Sequence, residues 1–199
     1  SCPPVSLPPV LDTMPKTSPI FALQSVVPED FRRQTRNASI RIIAVFALSA
    51  MVLSALLVTQ FGETGGNNFK WNLTGVILGV LLTSALVGGL FRKQQWMAAS
   101  LYGWRLKRSL MSITNQMHQL KAGVSQHDPQ SMQLLRFYHL ALHHMHQLDG
   151  NSSAASELVR EMDEHRQAME ALSLNPEQPR LNPEWLAHIK QFASKPSVK

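Results

Sequence analysis

Histidines in the second half of the chain come closest, by type and spacing, to a chemical site. His139, His143 and His146 stand at positions i, i+4 and i+7, so they share one face of a predicted helix. Neutral imidazoles in this arrangement can bind a divalent metal ion, but no Asp, Glu or Cys completes a ligand set locally. The alternative is a polar face with Gln133 and Gln147, solvated or packed against the acidic helix that follows. We therefore predict no metal site and keep the three histidines as the candidates should one exist.

A second cluster combines cations with aromatic rings and could contact a polyanion. Arg105, Lys107 and Arg108 lie close to Trp96 and Trp104. Beside an apolar segment this pattern fits the anionic headgroup layer of a membrane better than nucleic acid, at about 1 kcal/mol per basic residue near the surface. We expect a lipid bilayer with anionic headgroups, and no nucleic acid, as the partner. The full set of predicted headgroup contacts is Arg32, Arg33, Arg36, Arg41, Arg92, Lys93, Arg105, Lys107 and Arg108.

Motifs for enzymatic chemistry do not occur in this sequence. It holds no phosphate-binding glycine loop, no G-x-S-x-G elbow and no dinucleotide fingerprint. Cys2 is the only cysteine, so these residues can form neither an internal disulfide nor a cysteine zinc site. We predict no catalysis and no cofactor.

Two apolar runs, Ile42–Val58 and Leu73–Leu90, are the main elements that position these residues. Neither run contains Asp, Glu, Lys, Arg or His. Each approaches the roughly 20 residues that are needed to cross a bilayer core. With the Gly- and Asn-rich connection between them, they predict a transmembrane helical hairpin, with spans at about 42–60 and 73–91 and a loop at 61–72.

The distribution of the net charge of +6 predicts how this hairpin is oriented. No acidic residue lies between Glu63 and Asp128. Basic residues flank the start of the first run and the end of the second, which are the ends away from the loop. The positive-inside rule then places both termini in the cytoplasm and the short loop outside. We therefore expect a multi-pass protein of the bacterial inner membrane with a periplasmic loop. A short basic juxtamembrane helix at 28–41, opened by Pro28, leads into the first span.

Small residues predict how the second span packs. Gly75, Gly79 and Thr83 recur every fourth residue, which lets another backbone approach closely. Packing within the hairpin is the simpler interpretation, and a homodimer that uses the same residues is the alternative. Because the spans hold no ionisable residue, the sequence argues against an ion pump or proton relay.

From Trp96 onward the periodicity is helical, and the last predicted helix ends at Phe192. Short turns separate the helices, with Asp128-Pro129 and Asp149-Gly150 marking the ends of one of them. The sequence predicts an all-α fold: the hairpin, then a cytoplasmic antiparallel helical bundle at 92–194 with about three long helices and one short C-terminal helix. A flexible Pro-rich leader is predicted at 1–27 and a tail at 195–199. The three apolar stripes are Leu106, Leu110, Ile113, Met117, Leu120 and Val124; Met132, Leu135, Tyr138, Leu142, Met145 and Leu148; and Leu158, Met162, His165, Met169 and Leu172.

The order of these segments is similar to that of a known family. It comprises a span, the connection Gly65–Val76 (GGNNFKWNLTGV), a second span, the basic helix Tyr102–Leu110 (YGWRLKRSL), and Tyr138–Asn151 (YHLALHHMHQLDGN). This order resembles an uncharacterised family of small two-span bacterial inner-membrane proteins, the domain of unknown function three-zero-eight-seven. The resemblance covers about Phe31 to Leu186. It implies the two-span topology and carries no activity or catalytic residue.

Three functions remain open from the sequence. The first is a membrane-anchored helical interaction or scaffold protein that binds a partner protein and performs no catalysis. The second is an accessory subunit of a larger membrane enzyme or transporter complex, docked through Gly75, Gly79 and Thr83. The third is a metal-responsive module that uses the histidine face.

Overall fold

The structure is a computed structural model that describes residues 21–193, and these are almost entirely helical. The all-α fold predicted from the sequence is confirmed. The predicted tail and residues 1–20 of the predicted leader lie outside the described residues. The helices are α1 (Pro28–Phe61), α2 (Phe69–Gly89), α3 (Ala98–Thr114), α4 (Met117–Ser125), α5 (Pro129–Asp149), α6 (Ser152–Ala171) and α7 (Pro183–His188), with 3₁₀ turns at Phe91–Lys93, Gln95–Met97 and Ile189–Ala193.

The first two helices form a long antiparallel hairpin. α1 opens with Pro28 at its first position and with Glu29 and Asp30 in its first turn, where acids complement the helix dipole. It then runs without interruption for 34 residues, which is about 51 Å at 1.5 Å per residue. The juxtamembrane helix and the first span, which were predicted as separate segments, therefore form one continuous helix. The loop is shorter than predicted because α2 already begins at Phe69.

The first helix predicted for the bundle is divided into α3 and α4. The break falls at Asn115 and Gln116, inside the predicted stripe. Side chains bond to the backbone there: the Thr114 hydroxyl donates to the carbonyl of Leu110, and the Gln116 amide donates to the carbonyl of Ser112. Such local bonds compete with helix continuation. The stripe residues nevertheless remain in or against the core, because α4 packs on α5 after the turn.

Helix α5 is the central helix of the bundle. The Asp128 carboxylate accepts a hydrogen bond from the N–H of Ser131 at its start, and Gly150, with φ of 75°, ends it in the left-handed conformation. Its most deeply buried residues include Leu134, Phe137 and Ala141, none of which belongs to the predicted stripe. A single stripe is insufficient because α5 is covered by neighbours on several sides.

A two-residue antiparallel pairing joins the start of the described chain to the segment between α6 and α7. β1 (Phe21–Ala22) pairs with β2 (Arg180–Leu181), and the N–H of Leu23 donates to the carbonyl of Pro179. The leader was predicted to be flexible as far as residue 27, and the structure shows bundle contacts for its residues Phe21 to Gln24. Phe21 stacks on Tyr102 at 5.9 Å between ring centroids, and the Tyr102 hydroxyl accepts a hydrogen bond from the backbone of Gln24. The segment is held by the bundle core, which its own sequence does not indicate.

The hydrophobic core lies in the bundle and not in the hairpin. Helices α3, α4, α5 and the C-terminal segment contribute to it, together with Phe31 from the first turns of α1. Its largest fully buried apolar side chains are Leu106, Ile113, Leu120, Met132, Leu134, Phe137, Leu148, Met169 and Ile189.

Candidate functional sites

The outer surface of the hairpin is apolar and uncovered. Two described segments are long and apolar enough to cross a membrane: α1 (Pro28–Phe61), and Phe69–Lys93, which is α2 with the 3₁₀ turn that follows it. Only 6% and 17% of their apolar windows are buried. A core helix of a soluble domain would be mostly covered by protein. Large exposed side chains along the two helices are Ile43, Leu48, Met51, Val52, Leu56, Ile77, Val80, Leu81 and Leu82.

The inner surface of the hairpin is closely packed. Gly75, Gly79 and Thr83 are the buried residues of α2. A Cβ added at Gly79 would lie 2.9 Å from the Cα of Ala50, and one added at Gly75 would collide with Ser54. The structure therefore places the three predicted packing residues against α1 of the same chain.

The hairpin and the bundle are joined without a loop on this side because the continuous helix α1 belongs to both. Phe31 packs so closely on α3 that a Cβ at Gly103 would lie 2.8 Å from its ring. The guanidinium of Arg32 reaches the end of α5, with Nη1 3.4 Å from the carbonyl oxygen of Leu148. A cation at a helix C-terminus is favourable for the helix dipole. The first turns of α1 thus fix the direction in which the hairpin leaves the bundle.

Basic residues predicted to contact headgroups divide into two groups in the structure. Arg32, Arg33 and Lys107 have protein partners: Arg32 contacts α5, Arg33 pairs with Asp30 at 2.8 Å, and Lys107 pairs with Asp149 at 3.2 Å. The other six predicted residues have no ion pair within residues 21–193. They are Arg36, Arg41, Arg92, Lys93, Arg105 and Arg108.

Two of these free cations lie over tryptophan rings. Arg41 is 5.4 Å from the ring centroid of Trp96, and Arg108 is 5.1 Å from that of Trp104. At the opposite end of the hairpin Lys70 lies 5.2 Å over Trp71. Cations stacked on interfacial aromatics are typical of surfaces that meet a headgroup layer.

Among the candidate histidines, His139 is buried in the bundle. Its ring lies 5.4 Å from that of His165 on α6, and both are less than a tenth exposed. Burial, followed by the neighbouring His165 and Arg136, lowers the pKa of His139 from 6.5 to about 4. Burial also lowers the pKa of His165, whose Nε2 donates to the carbonyl of Met132. This pair is a neutral internal contact at pH 7.

His143 and His146 lie elsewhere, in a groove between α5, α6 and the start of α1. The groove has a volume of about 720 Å³, and Pro28, Gln147 and Val159 also line it. The amide of Gln147 donates to Nε2 of His143 at 3.0 Å. The structure thus separates His139 from the other two candidates. Within residues 21–193 no three His, Cys, Asp or Glu residues are grouped so that they could hold a metal ion.

Another histidine forms the bundle's one His–carboxylate pair in the described residues. Nε2 of His188 lies 3.1 Å from both carboxylate oxygens of Asp128, and Oδ2 also accepts hydrogen bonds from the N–H and the hydroxyl of Ser131. Burial alone would raise the pKa of Asp128, but the hydrogen bonds from Ser131 and His188 outweigh it and hold that pKa below 3.8. This contact ties the last helix to the start of α5 and is structural.

Sequence reasoning did not identify Arg136, the buried cation beside the histidine pair. Its Nε donates to the carbonyl of Pro176 at 2.9 Å, and its Nη1 donates to that of Met162 at 3.0 Å. In the sequence it is an arginine between Leu135 and Phe137, and an arginine at an exposed position of a helix would look the same. The guanidinium holds the segment after α6 onto α5.

Comparison with known proteins yields one match. The sequence model of a family described as "Protein of unknown function (DUF3087)" matches residues 21–186. No curated protein and no solved structure gives a significant match.

Proposed function

Because the chain belongs to the family DUF3087, whose function is unknown, we propose a role from its own structure. It is a non-enzymatic protein of the bacterial inner membrane. Its hairpin crosses the bilayer twice, and its helical bundle is held at the cytoplasmic surface as an interaction or scaffold domain for a partner protein.

The uncovered apolar surface of the hairpin is the observation that supports this proposal most directly. α2 has 21 residues, or about 32 Å at 1.5 Å per residue, which matches a hydrocarbon core of about 30 Å. Exposed apolar patches on soluble monomers rarely exceed a few hundred Å². A surface this long that is apolar on all outer sides needs lipid around it.

Charges at the two ends of the hairpin support the orientation. Arg41, Arg92 and Lys93 flank the ends that join the bundle, whereas the loop end carries one acid, Glu63, and one base, Lys70. The positive-inside rule places the bundle in the cytoplasm and the loop in the periplasm.

The groove beside α6 supports a binding role for the bundle. It is lined mainly by apolar atoms, and Val159 at its edge is 42% exposed. The contacts of Phe31 and Arg32 with the bundle would hold this groove near the bilayer surface.

An accessory-subunit role through Gly75, Gly79 and Thr83 has less support, because these residues already contact α1. A metal-responsive role has less support as well, because His139 does not share a site with His143 and His146.

Single-cysteine labelling tests the membrane topology. In a Cys2→Ser background, one cysteine replaces Asn67 in the loop and, in a second variant, Met111 on α3, which is 64% exposed. We expect a membrane-impermeant maleimide to label Asn67→Cys, and not Met111→Cys, in intact spheroplasts. Both should label after the membrane is opened. Extraction of the wild-type chain by alkaline carbonate, or labelling of both sites in intact spheroplasts, would contradict the proposal.

Site-specific photo-crosslinking tests the interaction role. A photoreactive amino acid at Val159 should crosslink a partner protein in native membranes, and the same amino acid at Met111, outside the groove lining, should not. The same products from both positions, or none from Val159, would remove the groove as the binding surface.

A further inference from the structure

A small pocket with four polar residues in its lining lies where the hairpin joins the bundle. We define the junction pocket by Gln34, Asn37, Ala38 and Arg41 of α1, together with Gln95 and Trp96 of the connection to α3. Its volume is about 310 Å³, at the lower end of the roughly 300–1,000 Å³ range of small-molecule sites.

The location of the junction pocket matches the level of lipid headgroups if the hairpin spans the bilayer. Arg41 immediately precedes the apolar run that begins at Ile42, and Gln95 follows the end of α2 by a few residues. The pocket is therefore level with the cytoplasmic ends of both spans. This step rests on the proposed membrane topology.

The polar side chains of the junction pocket are exposed to solvent and make no hydrogen bond or ion pair within the described chain. No hydrogen bond or ion pair in residues 21–193 engages the side chains of Gln34, Asn37, Gln95 or Arg41. This contrasts with Arg32, only nine positions earlier, which binds carbonyl oxygens of α5. Three amides and the guanidinium that stacks on Trp96 thus line one pocket with hydrogen-bond donors that face solvent.

The chemistry of the lining selects an anion. A guanidinium binds phosphate through paired charge-assisted hydrogen bonds, and amide N–H groups can add further donors. None of the lining residues is acidic, and no acid occurs in the sequence between Glu63 and Asp128. Arg92 and Lys93, both exposed, add positive charge just before Gln95.

Aromatic packing fixes the wall of the junction pocket. The ring of Trp96 lies 5.3 Å from that of Phe91 and 5.4 Å below the guanidinium carbon of Arg41. An indole in this position suits the boundary between acyl chains and headgroups. Ala38, 1% exposed, forms the floor without filling the space.

We propose that the junction pocket binds the phosphate headgroup of an anionic glycerophospholipid in the cytoplasmic leaflet. Arg41 is the charged ligand, Gln34, Asn37 and Gln95 supply amide hydrogen bonds, and Trp96 covers the glycerol backbone. The lipid would join α1 to the connection after α2 and so brace the junction.

Native mass spectrometry of the full chain in mild detergent tests this site. Phosphatidylglycerol and phosphatidylcholine with the same acyl chains are titrated separately, and bound lipid is counted. We expect the wild type to prefer phosphatidylglycerol. Arg41→Gln should weaken that binding about tenfold, as expected for loss of one charge-assisted pair, and Gln95→Ala should weaken it about threefold without changing the charge.

Lys70→Gln is the matched control, because it removes the same charge from a cation over a tryptophan at the other end of the hairpin. It should bind phosphatidylglycerol as the wild type does. If Lys70→Gln loses as much affinity as Arg41→Gln, or if Arg41→Gln and Gln95→Ala bind normally, the pocket is not a lipid site. Circular dichroism checks that each variant remains helical.

Competition with inorganic phosphate shows whether the pocket binds the phosphate of a lipid headgroup or free phosphate. We expect excess inorganic phosphate not to displace phosphatidylglycerol, because the lipid is also held by its acyl chains. Displacement that Arg41→Gln abolishes would assign the pocket to free phosphate and overturn the lipid proposal. Failure of the proposed topology would appear separately, as carbonate extraction of the wild-type chain.

Discussion

His139 should make the stability of the bundle depend on pH. Its imidazole is 6% exposed and lies beside His165 and Arg136, and its pKa is about 4 in the folded chain against 6.5 when unfolded. Protonation would place a second charge beside the Arg136 guanidinium in a poorly solvated position. Nδ1 of His139 has no hydrogen-bond partner in the described residues that could stabilise the charged form.

The sign of the effect follows from proton linkage. Between pH 6.5 and about 4 the unfolded chain binds a proton at His139 that the folded chain does not bind. The contribution of neutral His139 to the free energy of unfolding is therefore fully present above pH 6.5, and it is lost as the pH falls toward 4. At about 1.36 kcal/mol per pKa unit the full effect is about 3 kcal/mol, a large part of the roughly 5–15 kcal/mol that stabilises a domain.

Urea unfolding of the full chain in detergent micelles measures this effect. Tryptophan fluorescence can follow it, because Trp185 packs against the core. We compare the loss of unfolding free energy between about pH 7.5 and pH 4.5 for wild type, His139→Leu and the exposed-site control His118→Gln. His139→Leu should lose about 2–3 kcal/mol less than the wild type over this range, and His118→Gln should behave as the wild type.

Leucine at position 139 changes the packing of the core by the same free energy at both pH values. The difference between the two pH values within one variant is therefore free of this contribution. The remaining acid sensitivity of His139→Leu comes from other groups, including His165, whose pKa burial also lowers. If His139→Leu loses as much stability as the wild type between the two pH values, His139 is not buried as the structure shows. An equal benefit from His118→Gln would indicate a general charge effect instead.

Three further changes test other contacts. Gly79→Leu should destabilise the hairpin by about 1–3 kcal/mol through overpacking against α1, measured by thermal unfolding in micelles, whereas Gly88→Leu, with open space around its Cβ position, should not. Arg32→Ala should lower the unfolding free energy of the chain by about 0.5–1 kcal/mol because the end of α5 loses its cation, and a similar loss in Arg33→Ala would contradict this assignment. Asp128→Ala should cost about 1–2 kcal/mol at pH 7. That difference from wild type should shrink as the pH falls below 3.8, because the folded carboxylate has a lowered pKa; a difference that is constant with pH would count against the cap.

The sequence was sufficient for features that depend on local pattern. Helix α5 begins after Asp128 and ends at Gly150, as predicted, because caps and left-handed glycines act within one turn of a helix. The same reasoning failed at Asn115, where the heptad pattern continues through a break in the helix. Periodicity records which residues face the core, and α3 and α4 both face it, so the pattern does not reveal the turn between them.

Burial of polar residues could not be predicted in the same way. His139 shares its helical face with His143, yet one is in the core beside His165 and the other lines a groove. Arg136 is buried because α6 and Pro176 supply carbonyl oxygens to its guanidinium. The partners of His139 and Arg136 come from other segments of the chain, so the local sequence carries no signal of their burial.

The sequence by itself determined the helical class, the two apolar runs and the direction of the charge gradient along the chain. These features follow from the composition of the chain and the spacing of its residues. They depend on how side chains interact with water and lipid, and not on contacts with specific residues elsewhere in the chain. Only the tertiary structure decided that Phe21 closes the core and that Gln34, Asn37 and Arg41 meet Gln95 and Trp96 in one pocket. Such meetings depend on how α1 crosses the bundle, and that crossing is set by contacts between residues far apart in the chain.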